Sequence, residues 1–193
     1  MTSIVTPVAP ADEAAAVDTI VLAFAVDPVA RWCWPESHRY LANMPAFVRA
    51  FAGRAFPHGG AYCTDDRTGA ALWLPPGVHQ DQVALGDLIG RTLDEAVRRD
   101  LGTAMEQLAG YHPSGPHWYL PMIGVDPARH GRGYGGALMI HALQRCDREH
   151  APAYLESTNP RNVSLYERHG FQALGRVQVG AAPPFVPMLR AAR

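Results

Sequence analysis

The most distinctive chemical feature of this chain is a cluster of glycines at the start of a predicted helix. Four of the six residues in the segment 131–136 are glycine, and Arg129 and Arg132 accompany them. Successive backbone N–H groups at a glycine-rich helix start converge on an anion, and the helix dipole adds to the attraction. Arginine side chains add charge-assisted hydrogen bonds to phosphate oxygens. The segment therefore predicts a binding site for a pyrophosphate group.

Two other phosphate-binding motifs compete for the same glycines. A Walker loop needs a lysine, and the chain has none. Gly131, Gly133 and Gly136 also fit G-x-G-x-x-G, the dinucleotide fingerprint, and Glu156 follows at the expected distance. That fingerprint requires its first glycine directly after a strand, whereas the apolar strand ends at Val125. The chain also ends too soon for a doubly wound sheet, so the dinucleotide interpretation is the weaker one.

The C-terminal half must position this loop between a strand and a helix. Apolar runs predict its strands, and apolar residues at helical spacing predict its helices. Inside the first of these strands, Gly124 and Pro121 predict an irregular ladder that frees backbone groups. Gly170 stands where a helix is expected to end. The predicted elements are strand 117–125, helix 133–149, strand 153–158, helix 161–169 and closing strands 171–179 and 185–189.

The N-terminal half predicts helices around one hairpin. Ser37 can cap a helix in which Pro45 lies near the beginning or causes a kink. The segment 81–109 predicts helix, broken at Gly90 or Gly102. The other predicted elements are strand 4–8, helix 11–25, an aromatic loop over 26–36, helix 37–55 and a hairpin of runs 60–64 and 70–75. Together the two halves predict one mixed α/β domain over residues 1–193.

Bulk composition narrows the class of protein. The formal net charge is -1, which gives no basic field for nucleic acid. No apolar run approaches the ~20 residues of a membrane span, and the N-terminus lacks signal-peptide features. Three cysteines far apart in sequence favour reduced thiols, and no spacing of cysteine or histidine predicts a metal site. We expect a cytoplasmic protein without a metal, a nucleic-acid partner or a membrane partner.

Two sequence blocks carry a family resemblance. "VDPARHGRGYGGAL" (125–138) resembles the acetyl-CoA-binding loop of the GCN5-related N-acetyltransferases (GNAT), written V-x-P-x-x-Q-G-x-G-x-G-x-x-L. His130 stands where that family usually has Gln or Arg. "YLESTNPRNVSLYERHGFQALG" (154–175) is similar to the second cofactor motif, N-x-x-N-x-x-x-Y-x-x-x-G-F. The segments "HWYLPMIGVDP" and "FAVDPVARW" look more closely like the puromycin N-acetyltransferase branch.

The resemblance implies a fold, a co-substrate and a binding set. The fold would be the GNAT α/β fold, a mostly antiparallel sheet splayed between its fourth and fifth strands and flanked by helices. Acetyl-CoA would be the acyl donor, and no metal would take part. The residues implied to bind acetyl-CoA are Ile123, Gly124, Val125, His130, Gly131, Arg132, Gly133, Tyr134, Gly135, Gly136, Ala137, Asn162, Ser164 and Tyr166.

Two residues are candidates for catalysis, Tyr166 because of the resemblance and Glu156 because of its position on a strand. Tyr166 would protonate the leaving thiolate, because its phenol, with a reference pKa of ~10, is neutral and carries a proton for a thiolate whose conjugate acid has a pKa of ~8.5. Alternatively, Tyr166 is a structural residue of the helix that packs in the core. Glu156 is the leading base for the amine, on a strand where Tyr154, Glu156 and Thr158 share one face. Alternatively, Glu156 has a structural role and fixes a neighbouring loop by hydrogen bonds. His112 and His117 are weaker candidates for the base.

The expected reaction transfers an acetyl group to the primary amine of a small molecule, directly within a ternary complex. No cysteine lies in either motif, which disfavours an acyl-enzyme. An aromatic set in the N-terminal half is expected to wall the acceptor pocket, although core packing is an alternative; it comprises Trp32, Trp34, Tyr40, Tyr62 and Trp73. A protein N-terminal or lysine acetyltransferase and a non-catalytic acyl-CoA-binding module remain alternatives, as do monomer and homodimer.

Overall fold

A computed structural model describes residues 4–193 of the chain. Its seven-stranded sheet has the order β1-β2-β3-β4-β5-β7-β6, and its neighbouring strands are antiparallel except for the parallel pair β4–β5. The strands are β1 Val5–Pro7, β2 Ala61–Thr64, β3 Gly69–Leu74, β4 Trp118–Val125, β5 Ala153–Ser157, β6 Gln172–Ala173 and β7 Val186–Arg190. The helices are α1 Glu13–Ala23, α2 Pro28–Cys33, α3 Ser37–Ala52, α4 Gln82–Thr92, α5 Glu95–Ala109, α6 Tyr134–Arg148 and α7 Val163–Arg168.

The pairing between β4 and β5 is short. Trp118 pairs with Ala153 and Tyr119 with Tyr154, and the described residues form no further pair between these strands. Near Pro121, the ladder between β4 and β3 also shifts register. Proline lacks the N–H that a regular ladder uses. The predicted fold, a mixed α/β sheet splayed between its fourth and fifth strands and flanked by helices, is confirmed.

Helices cover both faces of the sheet. The helix α6 is amphipathic, because its buried residues Leu138, Met139, Ala142, Leu143 and Cys146 follow helical spacing. It packs with α7 on one face, while α1, α3 and α5 pack on the other. All six residues of β3 are buried, as expected of a strand covered on both sides.

Three local predictions were wrong. The segment predicted as an aromatic loop contains α2, which the Asp27 side chain caps by accepting hydrogen bonds from two backbone N–H groups. The helical segment 81–109 breaks at Leu93 and Asp94 rather than at a glycine, because Leu93 is buried in the core and both residues are extended. The first closing strand shrinks to β6 and one bridge between Val177 and Phe185.

In the described part of the chain, no helix combines the length and the apolar character needed to cross a bilayer. The organisation of residues 1–193 as one domain stays a prediction.

Candidate active site

The glycine loop links the end of β4 to the start of α6. Gly131 and Gly133 have φ angles of 75° and 85°, in the left-handed region that side-chain-bearing residues rarely adopt. A Cβ added at either glycine would meet no atom within 4 Å, so the space in front of them is open. Gly133 is the N-cap of α6, whose first-turn N–H groups are oriented outward along the helix axis. This geometry fits an anion site at a helix start.

Gly135 and Gly136 lie inside the first turn of α6, and neither has a positive φ. A Cβ added at Gly135 would lie 3.4 Å from Leu165 Cδ2, and one at Gly136 would lie 3.7 Å from His169 Nε2, which are ordinary contact distances. The left-handed turns of the loop are therefore those at Gly131 and Gly133.

Two side chains hold the loop in place. The Tyr134 hydroxyl donates a hydrogen bond of 2.8 Å to Asp66 Oδ2 in the turn of the β2–β3 hairpin. Burial opposes ionisation of Asp66, but hydrogen bonds from Thr68, Tyr134 and Thr64 outweigh it and hold the pKa of this carboxyl below its usual value. His130 Nε2 lies 3.0 Å from the carbonyl oxygen of Val125. In this chain His130 thus fixes the bend between strand and loop.

A cavity of about 1050 Å³ opens where β4 and β5 diverge. It runs from the glycine loop, through the gap between the strands, to the helices α3, α4 and α5. The lining residues that the sequence predicted are Ile123, Gly124, Val125, His130, Gly131, Gly133, Tyr134, Gly135, Gly136, Glu156, Asn162 and Tyr166. The splayed sheet therefore brings both sequence blocks to one cavity.

Other predicted binding residues lie outside this lining. The side chain of Arg132 is exposed, and Ala137 sits half-buried in α6. Ser164 is exposed on α7 and accepts a hydrogen bond from Arg168. Gly124 lines the cavity, yet its main constraint is packing, because an added Cβ would lie 2.5 Å from Ala23 Cβ on α1.

Glu156 is the centre of a polar cluster at the divergence of the strands. Its Oε2 accepts a hydrogen bond of 2.7 Å from the Tyr119 hydroxyl, and its Oε1 lies 3.1 Å from His112 Nε2. The side chain of Glu156 is 12% exposed, so solvent screens these contacts weakly. Two base candidates from the sequence, Glu156 and His112, thus touch each other. His117 contacts the Gly115 carbonyl instead.

Tyr119 is a member of this cluster that sequence reasoning missed. Burial raises the pKa of the Tyr119 phenol well above its usual range, and the negative charge of Glu156 raises it further. The phenol therefore stays protonated and donates to Glu156. No sequence pattern identified Tyr119, because its place opposite Tyr154 follows from the pairing of β4 with β5, two strands that are distant in the chain.

Tyr166 projects from α7 into the same cavity. The residue is 5% exposed, and its ring packs edge-on against Phe171. Burial raises the pKa of its phenol, and the charge of Asp27 adds to the effect. Asn162 precedes it in a 3₁₀ turn, Pro160–Asn162, rather than in the helix as expected. Both residues nevertheless line the cavity.

Asp27 is the second residue that sequence reasoning missed. Its side chain is buried, lines the cavity and caps α2 through Oδ1. Its Oδ2 accepts a hydrogen bond of 2.6 Å from Thr158, which follows β5. Burial raises the pKa of Asp27, although these hydrogen bonds oppose the shift. The Asp-Pro pair at the helix start was the available signal.

The predicted aromatic wall is corrected by the structure. Of the five residues, Trp34 lines the cavity. Tyr62 and Trp73 belong to the core on the opposite face of the sheet, with α6. The Tyr40 hydroxyl bonds the Val21 carbonyl inside the other core. The other Phe and Tyr residues of the lining are Phe24, Phe47, Phe51, Tyr119, Tyr134, Tyr166 and Phe185.

Comparisons with known proteins agree with this geometry. The model of the acetyltransferase (GNAT) family matches residues 53–171. An uncharacterized N-acetyltransferase of Schizosaccharomyces pombe is 41% identical over 54 residues, covering 28% of this chain and 22% of that protein. The mycothiol acetyltransferase of Acidothermus cellulolyticus is 31% identical over 133 residues, covering 66% of this chain and 40% of that protein. These matches thus span less than half of each curated relative.

A solved structure gives similarity over the full chain. The crystal structure described as histone acetyltransferase HPA2 and related acetyltransferase, from Corynebacterium glutamicum, has a TM-score of 0.71 and 26% identity. The match covers 100% of this chain and 98% of that one. Because the family model covers more than half of the sequence, the chain belongs to the acetyltransferase (GNAT) family.

Proposed function

We propose that this protein is an acetyl-CoA-dependent N-acetyltransferase that acetylates the primary amine of a small molecule. The observation that carries the proposal is the continuous cavity, which joins the glycine loop to Glu156 and Tyr166 across the gap between β4 and β5. An anion site at one end and an acid–base pair in the middle match the needs of acyl transfer from a nucleotide-bearing thioester.

The glycine loop and the edge of β4 would hold acetyl-CoA. Left-handed Gly131 and Gly133 leave the start of α6 open to a pyrophosphate, and Arg129 beside them lines the cavity. Beyond Tyr119, no strand pairs with β4 on its β5 side in the described chain. The backbone N–H and C=O groups of Ile123 and the N–H of Val125 are thus available for the amide-containing arm of the ligand, whereas the Val125 carbonyl contacts His130.

Replacing Gly133 by alanine should weaken acetyl-CoA binding. An alanine residue in the left-handed backbone conformation costs about 1–2 kcal/mol of conformational free energy. The exposed loop relaxes away from that shape in the free protein, and binding must restore it. We expect the KM for acetyl-CoA to rise roughly tenfold in steady-state kinetics. The control is Gly90→Ala in α4, where an added Cβ meets no atom within 4 Å. Equal KM values in both variants would contradict this role.

Glu156 is positioned to take the proton of the attacking amine. The carboxylate keeps its orientation through Tyr119 and His112, and it accepts the proton directly or through a water molecule. The amine nitrogen then forms a bond to the acetyl carbonyl carbon. Backbone N–H groups of the irregular strand β4 can stabilise the negative charge that develops on the carbonyl oxygen.

Tyr166 is positioned to protonate the leaving group. As the carbon–sulfur bond breaks, the phenol donates its proton to the thiolate, which yields free CoA and the N-acetylated product. Its raised pKa keeps the phenol in the protonated form needed for this step. The proton on Glu156 passes to solvent and Tyr166 regains one, so the protein returns to its starting state.

The environment of Cys33 supports direct transfer of the acetyl group from acetyl-CoA to the amine. This thiol lines the cavity, so it is the cysteine placed to attack the thioester. Burial and the charge of Asp27 raise its pKa to about 12. Since the thiolate is the nucleophilic form, Cys33 is a poor nucleophile at neutral pH. This favours a ternary complex over an acyl-enzyme.

The lining of the cavity supports a small acceptor. Its far end is formed by side chains of α3, α4 and α5 that converge on one space, most of them apolar. The looser resemblance to the puromycin N-acetyltransferase branch agrees with a small amine. The acid–base pair also favours turnover over a non-catalytic acyl-CoA-binding module.

Ligand-dependent melting tests the proposed co-substrate. Acetyl-CoA at 100 times its Kd should raise the free energy of unfolding by about 2.7 kcal/mol. For a chain of this size we expect Tm to rise by about 5–10 °C. NAD serves as the matched control and should leave Tm unchanged. A shift with NAD but not with acetyl-CoA would restore the dinucleotide interpretation of the glycines. A screen of amines with detection of free CoA then tests turnover.

A further inference from the structure

The acceptor end of the cavity is mostly apolar. The helices α3, α4 and α5 line it with Phe47, Phe51, Leu85, Ile89, Leu101 and Met105. The polar side chains at this end are those of Gln80, Gln82 and Arg98, and Arg98 Nη1 donates a hydrogen bond of 2.7 Å to the carbonyl of Gly90. An apolar body gains free energy from burial against the six apolar side chains.

A carboxylate without a cation lies at the reaction end of the same cavity. Asp27 is 6% exposed, and no arginine of residues 4–193 forms an ion pair with it. The chain has no lysine. Its Oδ1 is used by two backbone N–H groups, but its Oδ2 accepts one hydrogen bond, from Thr158. A carboxylate oxygen accepts two, so one acceptor position remains.

Asp27 and the proposed catalytic pair line the same cavity. Thr158, which donates its hydrogen bond to Asp27, follows β5 and stands two positions after Glu156 in the sequence. The charge of Asp27 also acts on the phenol of Tyr166. Asp27 thus belongs to the part of the cavity that holds the proposed catalytic residues.

We propose that the acceptor is a primary amine with an extended apolar body, and that Asp27 binds its ammonium group beside Glu156. This rests on the proposed function and names the substrate class of the same site. One N–H of the ammonium bonds Asp27 Oδ2 and another faces Glu156. After Glu156 takes a proton, the remaining hydrogen bond to Asp27 keeps the nitrogen lone pair aimed at the thioester. The nitrogen releases its second proton to solvent once it is bonded to the acetyl carbon.

A series of linear amines tests the apolar body. From butylamine to octylamine, kcat/KM should rise about fourfold with each methylene, the gain expected for burying one CH₂. Glucosamine, a polar primary amine, should react slowest. A flat series, faster turnover of glucosamine or no turnover at all would overturn the inference. Glucosamine turnover would leave the proposed function intact, whereas the absence of a melting shift with acetyl-CoA would remove that function itself.

Asp27→Asn tests the ammonium site. Asparagine is an equally good helix cap, so α2 should persist and Tm should change little. We expect the KM for octylamine to rise at least tenfold while the KM for acetyl-CoA stays unchanged. The control is Asp81→Asn, because Asp81 caps α4 in the same way and lies outside the cavity. A KM for octylamine within twofold of the native value would overturn the role of Asp27.

Discussion

Tyr166→Phe is expected to lower kcat by about 100-fold while leaving acetyl-CoA binding nearly unchanged. A positioned general acid contributes roughly 10²–10⁴ to the rate, and water reaching the cavity replaces part of it. Phenylalanine keeps the ring that packs against Phe171, so the variant should fold normally. Rapid-mixing measurements of free CoA give kcat, and thermal melts with acetyl-CoA give binding.

The matched control for this change is Tyr62→Phe. The Tyr62 hydroxyl bonds the Gly59 carbonyl at 3.3 Å, on the face of the sheet that carries α6 and away from the cavity. We expect its kcat to equal that of the native enzyme. If Tyr166→Phe also keeps its native kcat, Tyr166 is a packing residue and another group protonates the thiolate.

Glu156→Gln is expected to lower kcat/KM for the amine by about 100- to 1,000-fold. The amide cannot accept the proton of the attacking amine, but its oxygen still accepts the hydrogen bond from Tyr119. The cluster around Tyr119 should therefore keep its shape, and Tm should stay close to the native value. Steady-state kinetics at saturating acetyl-CoA measure this effect, with circular dichroism as the check on folding.

The control for this change is Glu149→Gln. Glu149 accepts hydrogen bonds from Trp118 and Arg145 at the end of α6, outside the cavity. Its loss should reduce stability slightly and leave kcat/KM unchanged. Equal losses of kcat/KM in both variants would mean that charge or folding, rather than proton transfer by Glu156, explains the effect. His112 would then be the next candidate for the base.

Local signals predicted the C-terminal half of the fold well. Three features each fix the backbone geometry of a few neighbouring residues: the apolar run that ends at Val125, the glycines that follow it, and Gly170. Gly170 indeed closes α7 with a φ of 88°. Such features depend on residues that are neighbours in the chain, which is why a sequence pattern can carry them.

Contacts between segments that are distant in the chain could not be predicted from the sequence. The hydrogen bond from Thr158 to Asp27 joins residues 131 positions apart, and that from Tyr119 to Glu156 joins residues 37 apart. Composition and periodicity do not encode such pairings. The strand β3 shows a related limit, because burial on both faces leaves no alternation to tell which way Trp73 points.

The short pairing between β4 and β5 also divides the sheet mechanically. Strands β1 to β4 form one antiparallel ladder, and β5 to β7 form another. Two residue pairs, at Trp118 and Tyr119, join them. Hydrogen bonding within the sheet is therefore weakest where β4 and β5 diverge, beside Glu156. We expect CoA to leave by this opening, without any unfolding of the glycine loop.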